Sequence, residues 1–187
     1  NLTQIAHTTK SLIQTNQWQH LAISYDGNQA KFFINGVLEE TIPLNAPVTN
    51  YAGNLILGKW GQSDIQFYEG QMDEVRIWNI ARTEQEIQSN YDTEINCNNS
   101  NLVAYYQFNQ GLAEQDNFNI NFLTDCTTNS FDGSLINFAL DGSFSNWVEG
   151  LEISDVPDLT TECDCNNISP ETDSLNLTGI LEGDFTN

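Results

Sequence analysis

One polar loop, residues 59–70, carries the side chains best suited to binding chemistry. Its sequence is KWGQSDIQFYEG, in which three aromatic rings stand among amide and carboxylate groups. The candidate ligand-binding side chains are Trp60, Gln62, Asp64, Phe67 and Tyr68. Aromatic faces stack on sugar rings while a few placed polar groups bond the hydroxyls, so the loop predicts a carbohydrate-binding surface. The alternative is that one or two of these rings plug the edge of the fold.

Hydrolytic chemistry finds little support in the sequence. A glycosidase needs two carboxylates about 5–5.5 Å apart if retaining, or about 6.5–9.5 Å apart if inverting. Glu69 and Asp73 share one face of a strand, but four residues at about 3.3 Å each separate them by roughly 13 Å. The only histidines are His7 and His20, and no G-x-S-x-G nucleophile motif occurs. We therefore expect no catalytic residues and interpret His20 as part of the scaffold.

The chain is strongly acidic, with a formal net charge of −21 over 187 residues. Every Lys and Arg lies at or before Arg82, whereas Asp and Glu continue to the end. This charge argues against nucleic-acid and anionic-membrane partners. No apolar run reaches the roughly 18–20 residues of a membrane span. Acidic side chains keep a protein soluble, and they also supply oxygen ligands for hard cations such as Ca²⁺.

Four cysteines, at 97, 126, 163 and 165, indicate an oxidising, extracellular setting. The favoured pairing is Cys97 with Cys126, which would close a loop around the strand-like LVAYYQF. Cys163 and Cys165 are too close in sequence to bond each other readily, so they either pair elsewhere or stay free.

The elements that must position the loop read mainly as strands. QWQHLAISYD alternates between two faces, and DGN at residues 26–28 predicts a hairpin turn into QAKFFINGVLEETIPL. A second turn falls at Asn35-Gly36. The expected core residues of this hairpin are Leu21, Ile23, Phe32 and Ile34.

One helix interrupts the strands, at ARTEQEIQSNY. Thr83 and Glu86 have the spacing of a capping box, and Ile87 and Tyr91 are spaced to dock one face. NLVAYYQFN follows as a strand, and a long irregular connection with aromatic anchors comes after it. Short strands joined by turns, with one helix, favour an all-β antiparallel sandwich or jelly roll.

Residues 16–91 resemble the laminin G-like, concanavalin A-like jelly-roll domains of large secreted proteins, a pattern that pentraxins share. The resemblance rests on the order of W-x-H in a strand, Y-D-G in a turn, N-G, L-G, and then G-x-x-D-E-V-R-I-W before A-R-T-x-x-E-I. The following segment is similar, more loosely, to cell-surface proteins of gliding, marine-type bacteria. The E-x-D-x-x-E signature of laminarinase-like relatives is absent.

The resemblance makes Ca²⁺ the candidate cofactor. Related domains bind it through an acidic loop after the L-G strand or through an Asp in the D-E-V strand. The corresponding oxygen donors here are Asp64, Glu69 and Asp73, with Gln62 beside them. The alternative for Asp73 is a carboxylate that caps the backbone.

The resemblance also sets the expected domains. Residues 1–150 would form the jelly-roll domain, with 95–150 as its closing strand and irregular extension, and 151–187 an acidic linker or tail. Relatives carry about four more strands before the W-x-H strand, so the chain reads as the C-terminal part of a domain. A preceding segment, another module of the parent protein or another chain would complete the sheet.

The predicted function is a non-catalytic recognition or adhesion module of a large secreted or cell-surface protein, binding a glycan or a cell-surface protein. Two alternatives stay open. One is a structural or assembly module without a ligand of its own, and the other is a degenerate glycoside hydrolase.

Overall fold

The computed structural model describes residues 12–44, 53–59 and 67–150, together with the backbone of 173–178. These residues are mostly β with one short α-helix, as the sequence predicts. The elements in chain order are β1 (Leu21–Tyr25), β2 (Gln29–Ile34), β3 (Val37–Pro43), β4 (Glu69–Met72), β5 (Val75–Trp78), α1 (Glu84–Asn90), β6 (Leu102–Tyr106), β7 (Phe122–Leu123), β8 (Gly133–Ser134), a 3₁₀ turn (Gly142–Phe144), β9 (Trp147–Glu149) and β10 (Asp173–Thr178).

Strands β1, β2 and β3 form an antiparallel sheet joined by the two predicted turns. In the first turn, the Asp26 carboxylate accepts hydrogen bonds from the backbone N–H groups of Asn28 and Gln29, each at 2.9 Å. In the second, Asn35 and Gly36 have φ values of 48° and 75°, the left-handed pair that a tight hairpin requires. Local turn chemistry therefore fixes this sheet.

The expected core of this sheet is only partly correct. Phe32 is buried, but its cross-strand partner Ile23 is 62% exposed and Leu21 is 50% exposed. Both faces are covered in part. Ala30 and Phe32 are buried on the face of Ile23, and on the opposite face Phe33 is 1% exposed. On that opposite face the Ser24 hydroxyl also donates to the Arg82 carbonyl at 2.7 Å. Alternation thus predicts which side chains share a face, but the packing of other elements decides which parts are covered.

Helix α1 begins with the predicted capping box. The Thr83 Oγ1 accepts from the Glu86 N–H at 3.2 Å, and the Glu86 carboxylate accepts from the Thr83 N–H at 2.8 Å. Ile87 is the buried residue of the helix, and Tyr91 at its C-terminal end lies against Gly36 of the second hairpin turn. Within the described ranges, no helix is both long and apolar enough to cross a membrane.

The main core lies between β4, β6 and β9. Its buried members are Met72, Ala104, Tyr106, Phe108, Leu123 and Trp147. Strand β6 pairs with β5 in an antiparallel ladder and supplies Ala104 and Tyr106 to this core, which agrees with the prediction of a strand at LVAYY. Tyr68 at the end of the polar loop packs against the same cluster, so the loop is anchored to the core at that end.

A disulfide and side-chain hydrogen bonds, rather than a regular strand ladder, hold the long connection after β6 against that strand. A disulfide joins Cys97 to Cys126, the pairing that the sequence favours. Next to it, the buried Asp125 carboxylate accepts from the N–H groups of Tyr105, Thr127 and Phe131, each at 2.9 Å. These contacts fasten the irregular segment to β6 in place of a regular ladder.

The last described element falls in the segment expected to be a linker or tail. Strand β10 lies between β4 and β9 in a three-stranded sheet and is antiparallel to both. The C-terminal segment therefore contributes a central strand to this sheet.

Candidate functional site

The described ends of the polar loop are tied together at its base. Lys59 and Phe67 form an antiparallel β-bridge, and the Tyr68 N–H donates to the Gly58 carbonyl at 3.1 Å. The chain therefore leaves and re-enters the body of the domain at one point. Of the predicted ligand-binding residues, Trp60, Gln62 and Asp64 lie outside the described residues, whereas Phe67 and Tyr68 are described.

The two described rings have different environments. Tyr68 is partly buried against the main core, and its hydroxyl donates to the Gln71 carbonyl at 3.2 Å. A Cβ on Gly70 would lie 2.7 Å from the Tyr68 hydroxyl oxygen, so the absence of a side chain at Gly70 makes room for this ring. Phe67 is 48% exposed, and the Lys59 ammonium lies 5.9 Å from its ring centroid. Tyr68 anchors the loop, and Phe67 presents an aromatic surface to solvent.

The carboxylates predicted as metal ligands do not assemble a site in the described part of the chain. Glu69 is exposed on β4, and the Asp73 Oδ1 accepts from the neighbouring Glu74 N–H at 2.9 Å. No cluster of three or more His, Cys, Asp or Glu suited to a metal occurs among the described residues. Since Ca²⁺ takes six to eight oxygen ligands, Glu69 and Asp73 alone do not fit it. Asp64 lies outside the described residues.

Glu74, the residue after Asp73, belongs to a buried polar network with Arg76 and Tyr105. The Arg76 guanidinium donates to Glu74 Oε2 and to the Thr93 carbonyl, both at 2.5 Å, and to the Asn90 carbonyl at 2.8 Å. The Tyr105 hydroxyl also donates to the Glu74 carboxylate. The Arg76 and Glu74 side chains are 11% and 15% exposed. The network therefore ties the start of β5 to β6 and to the segment after α1.

The charges of this network stabilise one another. Burial raises the pKa of Glu74, and the neighbouring Arg76 opposes that rise. Burial acts to lower the pKa of Arg76, but Tyr105 and Glu74 hold it above its ordinary value. Burial, followed by the charge of Glu74, raises the pKa of Tyr105. These hydrogen bonds hold the strands together, because the Glu74 carboxylate accepts from both Arg76 and Tyr105.

The sequence analysis did not identify this network. A signal was available, since Glu74 and Arg76 are two residues apart in the predicted strand QMDEVRIWN, a spacing that puts two side chains on one face. A charged pair at that spacing in an otherwise apolar strand predicts partners from a facing element. What the sequence could not supply was the identity of those partners, which come from 14 to 31 positions away.

His20 occupies a scaffold position. Its ring lies edge-on to Tyr91, with the ring centroids 6.1 Å apart. Burial, assisted by the charge of Arg76, lowers the pKa of His20 from 6.5 to about 4, and Asp92 acts in the opposite sense. The ring is therefore neutral at neutral pH, and it lies between β1 and the end of α1.

A shallow hollow of about 180 Å³ lies beside the first hairpin turn. Its lining residues are Ser24, Asp26, Gln29, Lys31, Ala81, Arg82 and Thr83. The Lys31 ammonium pairs with Glu84 at 2.8 Å, and Arg82 pairs with Glu86 at 3.0 Å. Because its two cations are already paired with carboxylates of α1, we assign this hollow to the packing of α1 on the sheet.

Comparison with known proteins matches one family model. Residues 1–88 match Laminin_G_3, described as the concanavalin A-like lectin/glucanases superfamily. Pappalysin-1 of Mus musculus is 33% identical over 82 residues, which are 41% of this chain and 5% of that protein. Human usherin is 27% identical over 84 residues, which are 42% of this chain and 2% of that protein. The chain thus spans a small fraction of these curated relatives.

Two solved structures show a weaker likeness. An S-layer domain-containing protein from Clostridium thermocellum is 24% identical, with a TM-score of 0.39 over 43% of this chain and 42% of that one. A proposed carbohydrate-binding protein from Bacteroides ovatus is 25% identical, with a TM-score of 0.49 over 65% of this chain and 35% of that one. Both TM-scores are below 0.5, so the family assignment rests on the sequence match. Residues 1–88 therefore match the Laminin_G_3 family, in the concanavalin A-like lectin/glucanases superfamily, and that family implies a β-sandwich jelly roll.

Proposed function

We propose that this chain is a non-catalytic, extracellular recognition module that binds a glycan through the loop at residues 59–70. The observation that carries the proposal is the match of residues 1–88 to a superfamily of lectins and glucanases. Binding and hydrolysis are the two activities named in that description, so the residues must decide between them.

The loop supports binding. Phe67 places an aromatic ring at 48% exposure where the loop joins the domain, and Tyr68 fixes that junction to the core. Because a rigid aromatic surface loses little conformational entropy on binding, it suits stacking against a sugar ring. Trp60, Gln62 and Asp64 complete the proposed surface on the strength of the sequence.

The positions of Glu69, Asp73 and Glu74 support a non-catalytic role. Glu74 is engaged by Arg76 and Tyr105, and Glu69 and Asp73 occupy opposite ends of the β4 segment. General acid catalysis requires a carboxyl group placed to give its proton to the substrate, whereas Glu74 accepts hydrogen bonds from protein donors. A degenerate glycoside hydrolase remains the alternative function.

The disulfide supports an extracellular location. A Cys97–Cys126 bond persists in oxidising compartments and is rare in the cytosol. The curated relatives are much longer than this chain, so we place the module in a larger secreted or surface-displayed protein. Its partners would be a glycan or a cell-surface protein, together with other modules of the parent protein.

A structural or assembly role is the second candidate, and one observation favours it. Leu21 and Ile23 on β1 are 50% and 62% exposed on one face of a strand. Apolar side chains exposed side by side on a sheet suit packing against another module. This role would need no ligand of its own.

A glycan array probed with the full chain tests the first proposal. Substitution of Phe67→Ala should reduce binding about tenfold, because lost aromatic stacking costs on the order of 1.4 kcal/mol. Trp60→Ala should act in the same direction. The matched control is Phe122→Ala, which removes a ring that is 54% exposed in β7, outside the loop. Absence of binding to every glycan, or an equal loss in the control, would overturn the proposal.

The same array, run with Ca²⁺ and with a chelator, tests the metal. Binding that requires Ca²⁺ would support a metal role for Asp64, Glu69 and Asp73. Binding that is equal in both conditions would remove Ca²⁺ from the proposal while leaving glycan recognition intact.

A further inference from the structure

The sheet built from β4, β10 and β9 has an unusual order, because its central strand comes last in the chain. Strand β10 pairs with β4 over Leu175–Thr178 and with β9 over Asp173–Leu175. Strands β4 and β9 are not neighbours in this sheet, so β10 alone joins them. Residues up to 150 therefore build a slot with a strand edge on each side, and residues 173–178 fill it.

The walls of the slot are anchored in the core. Leu175 lies at a register position opposite Met72 of β4 and opposite Trp147 of β9. Met72 is 5% exposed and Trp147 is fully buried. Trp147 also covers Gly111, where a Cβ would lie 2.1 Å from the indole. Both walls are thus held by packing that does not depend on how β10 is connected to them.

The connection to β10 is long. Glu149 and Asp173 are direct cross-strand partners, and residues 150–172 join them. Residues 150–172 number 23 and reach at most about 80 Å when fully extended, so their length permits β10 to reach its own slot or that of a neighbouring molecule. Attachment within one chain corresponds to an effective concentration on the order of millimolar. In dilute solution this favours insertion of β10 into the slot of its own chain. When molecules are crowded to a similar concentration, the same strand can enter a neighbouring slot.

We propose that the slot between β4 and β9 is a strand-accepting site for a second copy of this chain. When the concentration of molecules approaches the millimolar range, two copies exchange β10, so that each slot receives residues 173–178 of the other molecule. The occupant is a second copy because every copy carries the segment whose register already fits, and exchange keeps the same backbone hydrogen bonds. The site is separate from the loop at residues 59–70 and does not rest on glycan binding.

Two variants of the connection provide a matched test. Deletion of residues 151–172 leaves Gly150 alone between the cross-strand partners Glu149 and Asp173. One residue cannot reverse the chain, since the shortest common hairpin loop has two residues. Replacement of residues 150–172 by Asn-Gly supplies that two-residue loop. Both variants lack the same cysteines and differ by a single residue in loop length.

The expected masses, measured by light scattering after size-exclusion chromatography at micromolar concentration, differ between these variants. The wild-type chain and the Asn-Gly variant should be monomers, and the one-residue variant should be a dimer. A folded monomer for the one-residue variant would overturn the proposal. So would equal dimerisation of both variants, because the contact would then lie elsewhere.

A peptide of residues 172–179 provides a second measurement that does not depend on the deletions. Leu175→Pro in the full chain removes a backbone donor from the central strand and empties the slot. The labelled wild-type peptide should bind this variant about tenfold more tightly than it binds the wild-type chain, as read by fluorescence anisotropy. The same peptide carrying Leu175→Pro is the control. If the one-residue variant does not fold, equal binding of the two peptides overturns the proposal.

Discussion

His20 should make the fold sensitive to acid. Its ring is partly buried between β1 and the C-terminal end of α1, edge-on to Tyr91. Burial is the main cause that lowers the pKa of His20 from 6.5 to about 4, and the charge of Arg76 adds to it, while Asp92 opposes both. Lowering the pH therefore charges this ring, and comparison with a variant that lacks it separates the effect of the ring from that of the carboxylates.

The sign and size of the effect follow from the two pKa values. Above pH 6.5 the ring is neutral in the folded and the unfolded chain, so it contributes nothing to the pH dependence. Between pH 6.5 and 4 only the unfolded chain takes up the proton, and the folded state loses stability as the pH falls. From pH 7 to pH 4.5 the loss is about 2.5 kcal/mol, because one pKa unit corresponds to about 1.36 kcal/mol.

Urea unfolding at several pH values, compared between the wild-type chain and His20→Gln, measures this loss. The variant retains the carboxylates and lacks the ring, so the wild-type chain should lose about 2.5 kcal/mol more than the variant between pH 7 and 4.5. The imidazole signals in an NMR titration give an independent reading, with His20 assigned by its absence from the variant. A midpoint at or above pH 6.5, or parallel pH curves for the two proteins, would refute the reasoning.

Two other predictions concern the core and the disulfide. Gly111→Ala would place a Cβ 2.1 Å from the fully buried Trp147 ring, so unfolding should become easier by about 3 kcal/mol. Gly133→Ala is the matched control, because its nearest atom is 3.6 Å away; equal losses in thermal denaturation would contradict the packing argument. Replacing Cys97 and Cys126 by Ala opens a loop with a sequence separation of 29 and should lower the unfolding free energy by about 3.5 kcal/mol. Reduction of the wild-type chain should give the same loss in denaturant titrations, and an unchanged stability after either treatment would show that the irregular segment is held by other contacts.

The elements that the sequence predicted well are those fixed by neighbouring residues. The turns at Asp26–Asn28 and Asn35–Gly36 follow from left-handed backbone positions and from a carboxylate that bonds the next N–H groups. The capping box at Thr83 and Glu86 has the same local character. In each case the interacting groups lie within four positions of one another, so the pattern of residue types contains the physical cause.

Features that depend on contacts between distant residues were harder to predict from the sequence. Alternation correctly placed Leu21 and Ile23 on the face of Phe32, but it gave the wrong exposure for both. The segment at residues 151–187 has the composition of a linker, yet Asp173–Thr178 adds a central strand, because backbone hydrogen bonds to two edges require no apolar composition. The network of Glu74, Arg76 and Tyr105 likewise depends on partners that the fold brings together.

The candidate site shows the same division. By itself the sequence determined the family pattern, the acidic charge, the local turns and the set of aromatic and polar residues in the loop at 59–70. The tertiary structure decided that Tyr68 is an anchor while Phe67 is exposed, because only Tyr68 reaches the core beside Gly70. It also decided that Glu74 is a structural partner of Arg76. Burial and pairing are properties of contacts between distant residues, and a list of residue types does not contain them.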